Sequence, residues 1–154
     1  HVAQDMFGVM EILQRHSTTE ALSPTPTVGA LIVGPDEKLL MVHTLKWSGL
    51  WGIPGGKIKG GEASEEALHR EIMEETGLPI YDIRFALAQD CIRSKEFYKP
   101  AHFVLLNYIA RTQSHLVSLN EEADEYRWCT LAECEQLSLN TPTRILIDWY
   151  KKNR

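Results

Sequence analysis

Residues 56–78 read GKIKGGEASEEALHREIMEETGL, and this stretch decides the fold. Gly55, Gly56, Gly60 and Gly61 form a glycine loop that runs into a helix carrying Arg70, Glu71, Glu74 and Glu75. Glu71, Glu74 and Glu75 stand at i, i+3 and i+4, so they share one helical face. Their directions fall within an arc of roughly 100°. Crowding like charges costs about 0.2–0.5 kcal/mol per pair, a cost that a bound cation would offset. Leu68 and Ile72 mark the buried side of the helix, and Glu75 lies only about 20° from Leu68 on the helical wheel. The acids therefore border the core, whereas a merely solvated stripe would sit opposite it, where Glu66 and Arg70 project. Carboxylates at such an edge need a metal or hydrogen bonds. Three glutamates on a helix, taken alone, describe a charged surface with Arg70 paired to Glu74. The loop, the spacing and the edge position together argue for a cation site.

Around this stretch the pattern alternates strands and helices. Ser64 reads as the N-cap, Glu65 and Glu66 suit the positive end, and Gly77 ends the helix with Pro79 beyond. Upstream, Val28 to Val33 and Lys38 to Thr44 read as strands joined by the turn Gly34-Pro35-Asp36-Glu37. Trp51 to Ile53 is a short strand entering Pro54-Gly55-Gly56. Downstream, Ile83 to Ala88, His102 to Ala110 and Tyr126 to Cys129 read as strands. Thr141-Pro142 reads as an N-cap with Pro at N1, opening an amphipathic helix through Ile145, Leu146 and Trp149. At the start, Asp5 to His16 reads as a helix with Met6, Val9, Met10 and Leu13 at helical spacing, and Ser17 to Thr27 as a linker. That helix can cover its own sheet or cross to a second copy, which leaves a homodimer open. The expectation is an α+β chain with a mixed β-sheet and helices on both faces. Residues 1–25 form the N-terminal helix and linker, and residues 26–154 the main domain.

Bulk properties narrow the function. The 154 residues suit one domain, with 44% hydrophobic and 24% charged residues. The formal charge of −5 argues against broad nucleic-acid binding. Cys91, Cys129 and Cys134 are odd in number and form no CxxC, so neither a disulfide framework nor a zinc site is indicated, and a reducing cytoplasm is expected. No apolar run approaches membrane-spanning length, and the first residues lack a signal-peptide pattern. His1 in place of an initiating Met reads as the start of a processed piece.

Gly56, Glu62, Arg70-Glu71, Ile72, Glu74-Glu75, Gly77 and Leu78 reproduce every fixed and aliphatic position of the Nudix box. The chain thus resembles a MutT-like Nudix hydrolase, and the resemblance implies an α/β/α sandwich that cleaves the diphosphate of a nucleoside diphosphate linked to another group. It implies a Mg²⁺ or Mn²⁺ cofactor, consistent with the hard oxygen donors present. Carried over by position, Glu71, Glu74 and Glu75 are the metal ligands, joined by a backbone carbonyl of Gly55 or Gly56. Arg70 orients a glutamate, Glu62 supports the helix electrostatically, and Lys57 reaches a phosphate or is solvated. A second acid from a loop before a late strand can serve as general base, and Glu121, Glu122 and Glu125 lie in such a segment.

The partner implied is a nucleotide or a related small molecule, neither nucleic acid nor a membrane. Trp47, in a loop, is the stacking candidate for its base, while Trp51 starts a strand and belongs to the core. Phe97 and Tyr98 lie in a loop suited to specificity. Asn140 precedes the last helix and is explained as well by helix entry as by base reading. Arg93, Lys95 and Lys99 form a basic loop, solvated or facing outer phosphates. Ser94 stands where ADP-ribose hydrolases of the family tend to carry proline, and the downstream motif of NADH hydrolases is absent too, so by default the resemblance implies a nucleoside triphosphate hydrolase or a close relative with a broad substrate range. The alternatives are a non-catalytic regulatory domain, against which the intact box speaks, and an isoprenoid diphosphate isomerase, which would need a cysteine near the box.

Overall fold

The computed structural model describes residues 22–154. The expected Met6–Leu13 helix, and the linker up to residue 21, lie outside the described residues.

The apolar run at Val28–Val33 becomes the centre of the molecule. Strand β1 (Thr25–Val33) is buried on both faces because its alternating side chains feed two separate cores. Val28, Ala30 and Ile32 join one core, and Leu31 and Val33 the other. Strand β2 (Leu39–Thr44) divides in the same way, with Leu40 and Val42 on one side and Leu39 and Met41 on the other. The remaining strands are β3 (Leu50–Gly52), β4 (Gly55–Lys57), β5 (Tyr81–Ile92), β6 (His102–Arg111) and β7 (Glu125–Cys129). The main order is β3-β2-β1-β6-β5, with β4 paired to β1 and β7 to β2. β1 and β6 run parallel over their whole length, and the other pairs are antiparallel. The mixed sheet is as the sequence indicates.

Helix α1 (Ser64–Thr76) covers the first core with Ala67, Leu68 and Ile72. Helices α2 (Leu131–Gln136) and α3 (Thr141–Asn153) cover the second with Cys134, Leu146, Ile147 and Tyr150. The three cysteines are free and buried. Among the described residues, no helix is long and apolar enough to cross a membrane.

Several boundaries move from their expected places. Ala63, not Ser64, is the N-cap of α1, and its N–H is held by the Glu66 carboxylate at 2.7 Å. The Ser64 hydroxyl bonds the Tyr108 hydroxyl instead. Gly77 does end α1, in the left-handed region with φ 72°. Asn140, not Thr141, caps α3, its Oδ1 accepting from the Thr143 N–H at 2.9 Å. Thr25–Thr27, expected in the linker, belong to β1, where Pro26 still offers its carbonyl to the Ile58 N–H. β5 extends past Ile83–Ala88 at both ends, because exposed Arg84 and Asp90 on an edge strand hide its apolar period. The segment taken as part of the glycine loop includes strand β4. It pairs with β1 so tightly that a Cβ on Gly55 would lie 2.1 Å from the Val28 carbonyl oxygen. Only glycine allows that approach.

Candidate active site

β4 and α1 are stitched together along their length by the side chains the motif supplies. The Gly55 N–H donates to Glu75 Oε1 at 3.1 Å. The Glu71 carboxylate packs over Gly56, where an added Cβ would come within 2.3 Å of Oε1. Arg70 Nη2 donates to the Lys57 carbonyl at 3.1 Å. The glycines thus let the acidic face of the helix lie directly on the backbone of a strand.

Arg70 is the hub. Its Nε and Nη2 grip Glu62 at 2.6 and 2.8 Å, a bidentate pair. Its Nη1 reaches Glu71 at 3.0 Å and Glu74 at 3.3 Å. The guanidinium, with the Lys59 N–H, holds the Glu62 carboxyl down to about 2. Glu62, in turn, accepts from the Lys59 N–H at 2.9 Å and fixes the loop before α1.

Glu75 has no such partner. Among the described residues its one hydrogen-bond donor from the backbone is Gly55, and no cation pairs with it. Burial, then the hydrogen bond with Glu71, push its carboxyl well above the usual carboxylate range. The Gly55 N–H offsets only part of this.

These groups form one end of a cavity of about 450 Å³. It brings together Trp47, Gly55, Gly56, Lys57, Glu71, Glu74, Glu75, Phe97, Glu121, Glu122 and Asn140 from the sequence expectations. At the other end Phe97 packs edge-on against Trp47 and Phe103, with ring centroids 4.8 and 4.9 Å apart. Glu96 latches this wall to α3, its carboxylate accepting from the Thr141 N–H and hydroxyl at 2.9 and 2.8 Å.

Two expected site residues lie outside the cavity lining. Tyr98 does not line the cavity. Its ring is 57% exposed under Lys99, and its backbone N–H holds the Lys46 carbonyl. Glu125 opens β7 opposite His43, with its carboxylate 3.7 Å from Arg127 and away from the cavity. The basic loop residues Arg93, Lys95 and Lys99 are also outside the lining. Trp51 is buried as expected. Sequence reasoning missed Lys46, whose ammonium meets Glu122 at 2.7 Å, and it missed Phe103 and Asn107. Asn107 had a visible signal, a lone amide in the apolar run HFVLLNYIA of residues 102–110. Lys46 had none, since its partner is 76 residues away.

The donor set suits a hard divalent cation. As the side chains stand, no three His, Cys, Asp or Glu enclose a single ion position among the described residues. Arg70 explains this, because it draws Glu71 and Glu74 toward itself. A cation beside Glu71 and Glu75 would relieve the half-buried carboxyl pair, and Glu74 sits at only 3.3 Å from the competing guanidinium.

Cleft, glycine strand and acid-bearing helix make one site with room for a phosphate-bearing ligand beside a hard cation. A NUDIX domain model matches residues 23–150, and the chain belongs to the Nudix hydrolase family. Nucleoside triphosphatase NudI of Enterobacter sp. (strain 638) is 33% identical over 103 residues, covering 63% of this chain and 73% of that protein. The crystal structure of a MutT NUDIX hydrolase from Burkholderia pseudomallei matches with a TM-score of 0.72 at 29% identity, over 82% of this chain and 98% of that one. The NUDIX domain of Shewanella oneidensis NrtR, solved with ADP ribose, matches in fold with a TM-score of 0.69 at 21% identity, over 92% of this chain and 96% of that one. Enzymes of this family generally use divalent metals.

Proposed function

We propose that the protein is a Mg²⁺- or Mn²⁺-dependent pyrophosphohydrolase of nucleoside diphosphate derivatives, with a nucleoside triphosphate or its deoxy form as substrate. The observation that carries this reading is the Glu71–Glu75 pair. Two carboxylates are held against a glycine strand at one end of a cavity, and the more buried one lacks a cation among the described residues. Glu71, Glu74 and Glu75, with the Gly55 carbonyl, would hold the metal. When bound, the cation offsets charge on the phosphate oxygens and acidifies the attacking water.

The chain's own residues do the rest. Arg70 positions Glu71 and Glu74 from behind. Lys57 and Lys46 stand on the cavity wall and meet the outer phosphate oxygens. Water attacks phosphorus, the bridging P–O bond breaks, and the released phosphate keeps its electron pair. Glu122, oriented by Lys46, takes the proton of the water. Trp47 and Phe97 stack on the base. Residues 26–154 form the catalytic domain in this reading.

The test is turnover of a nucleotide panel with Mg²⁺, read by phosphate NMR. Glu74→Gln is expected to lower kcat by about a hundred- to a thousandfold with an unchanged circular dichroism spectrum. Near-normal activity of this variant would refute the metal assignment.

A further inference from the structure

The aromatic end of the cavity holds a side chain that no step above uses. Asn107 stands in the middle of β6, is 5% exposed, and lines the cavity. Its orientation is fixed from behind. Gln89, on the neighbouring strand β5, donates from Nε2 to the Pro142 carbonyl and to Asn107 Oδ1, both at 2.9 Å. A backbone carbonyl only accepts, so the amide nitrogen of Gln89 must lie on this side, and both of its hydrogens are committed. The Asn107 atom that meets Gln89 is then the oxygen. Its Nδ2 is left as a donor with no acceptor among the described residues. Buried amide donors are almost always paired, so this one is built for an acceptor that arrives with a ligand.

Position agrees with orientation. Gly29 of β1 pairs with Asn107 on one side and with Gly55 on the other. Two strand spacings, about 10 Å, therefore separate Asn107 from β4, the strand against which the acids of α1 lie. That span suits a nucleoside whose phosphates lie at Glu71 and Glu75. The rings of Trp47, Phe97 and Phe103 line the same space.

We propose that Asn107 is a specificity-determining residue that donates from Nδ2 to a carbonyl oxygen of the nucleobase, so that keto bases are preferred to their amino counterparts. Gln89 is its positioning residue. This rests on the nucleotide reading given above. An amino group at the same place would set donor against donor and leave both unpaired, and sites built around one hydrogen bond reject such analogues strongly.

The experiment compares kcat/KM with Mg²⁺ for UTP against CTP and for ITP against ATP, whose bases differ as keto against amino at one ring position. The wild type is expected to favour the keto member of at least one pair by about tenfold or more. Asn107→Asp replaces the donor with an acceptor, and that preference should fall at least about tenfold or invert. Gln89→Glu, which removes both fixing donors, should erode the preference without touching substrate. If the charged variant does not fold, Asn107→Ala serves: the keto member alone should lose about tenfold, whereas a merely structural role would lower both members equally. Turnover with equal kcat/KM across both pairs, or a preference unmoved by the Asn107 variants, overturns the proposal and leaves the pyrophosphohydrolase reading standing. Failure to cleave any of the four, together with other nucleotides, sinks that reading itself.

Discussion

The acidic end of the cavity and the aromatic end are built in opposite ways. The acidic end comes almost wholly from residues 55–75, a strand and the helix that follows it, with Arg70 gripping Glu62, Glu71, Glu74 and the Lys57 carbonyl. The aromatic end is gathered from the turn at Trp47, the loop at Glu96–Phe97, β6 and the N-terminus of α3. One is a continuous segment with redundant bonds, while the other is a set of pieces drawn from distant parts of the chain. A segment of the first kind fixes chemistry, because a single displaced group misplaces the reacting centre. An assembly of the second kind fixes which molecule fits, and it can change piece by piece.

The sharpest way to break the acidic end is Gly56→Ala. Its Cβ would come 2.3 Å from Glu71 Oε1, so the carboxylate must move off the strand. We expect kcat to fall by about a hundredfold or more, measured on the best nucleotide at saturating Mg²⁺. A variant with normal kcat would show that the Glu71 position does not matter to the reaction.

The aromatic end should respond more mildly and in a different parameter. Trp47→Ala removes stacking worth about 1–3 kcal/mol per base, so KM should rise about tenfold with kcat nearly unchanged. A fall in kcat with constant KM would mean that this end takes part in catalysis, and the contrast between the two ends would fail.

The smallest effect concerns the pH range over which the acidic end holds itself together. Arg70 holds the Glu62 carboxyl at about 2, below its ordinary 4.5. A depressed carboxyl contributes stability above the unfolded value and loses it as pH falls through the folded one. Wild type should therefore exceed Glu62→Gln in urea midpoint at pH 6, and the gap should close between about pH 4.5 and pH 2. A gap independent of pH would show that the pair contributes through packing and not through charge.

The contrast also explains which parts of the protein were legible in its residues. The box, the core face of α1 and the Gly77 stop were readable because each depends on neighbours within a turn or two. Cap positions slipped by one residue at α1 and α3, since Ala63 is served by Glu66 and Thr141 is claimed by Glu96, 45 residues away. β4 was hidden because a strand of glycines has no hydrophobic period. Phe97 and Tyr98 are adjacent and chemically alike, so nothing local says that the first faces the cavity and the second the solvent. Only the register of the loop, pinned by the Tyr98 N–H on the Lys46 carbonyl, separates them.

The order of residues by itself determined the acidic helix, the alternation of strands and helices, and the resemblance of the box to its family, because periodicity and motif spacing lie within short segments. Only the tertiary structure decided which amide atom of Asn107 is engaged, that Lys46 meets Glu122, and that Glu75 lies half-buried without a countercharge among the described residues. Those facts depend on contacts between elements far apart in the chain, and such contacts leave no periodic trace in sequence.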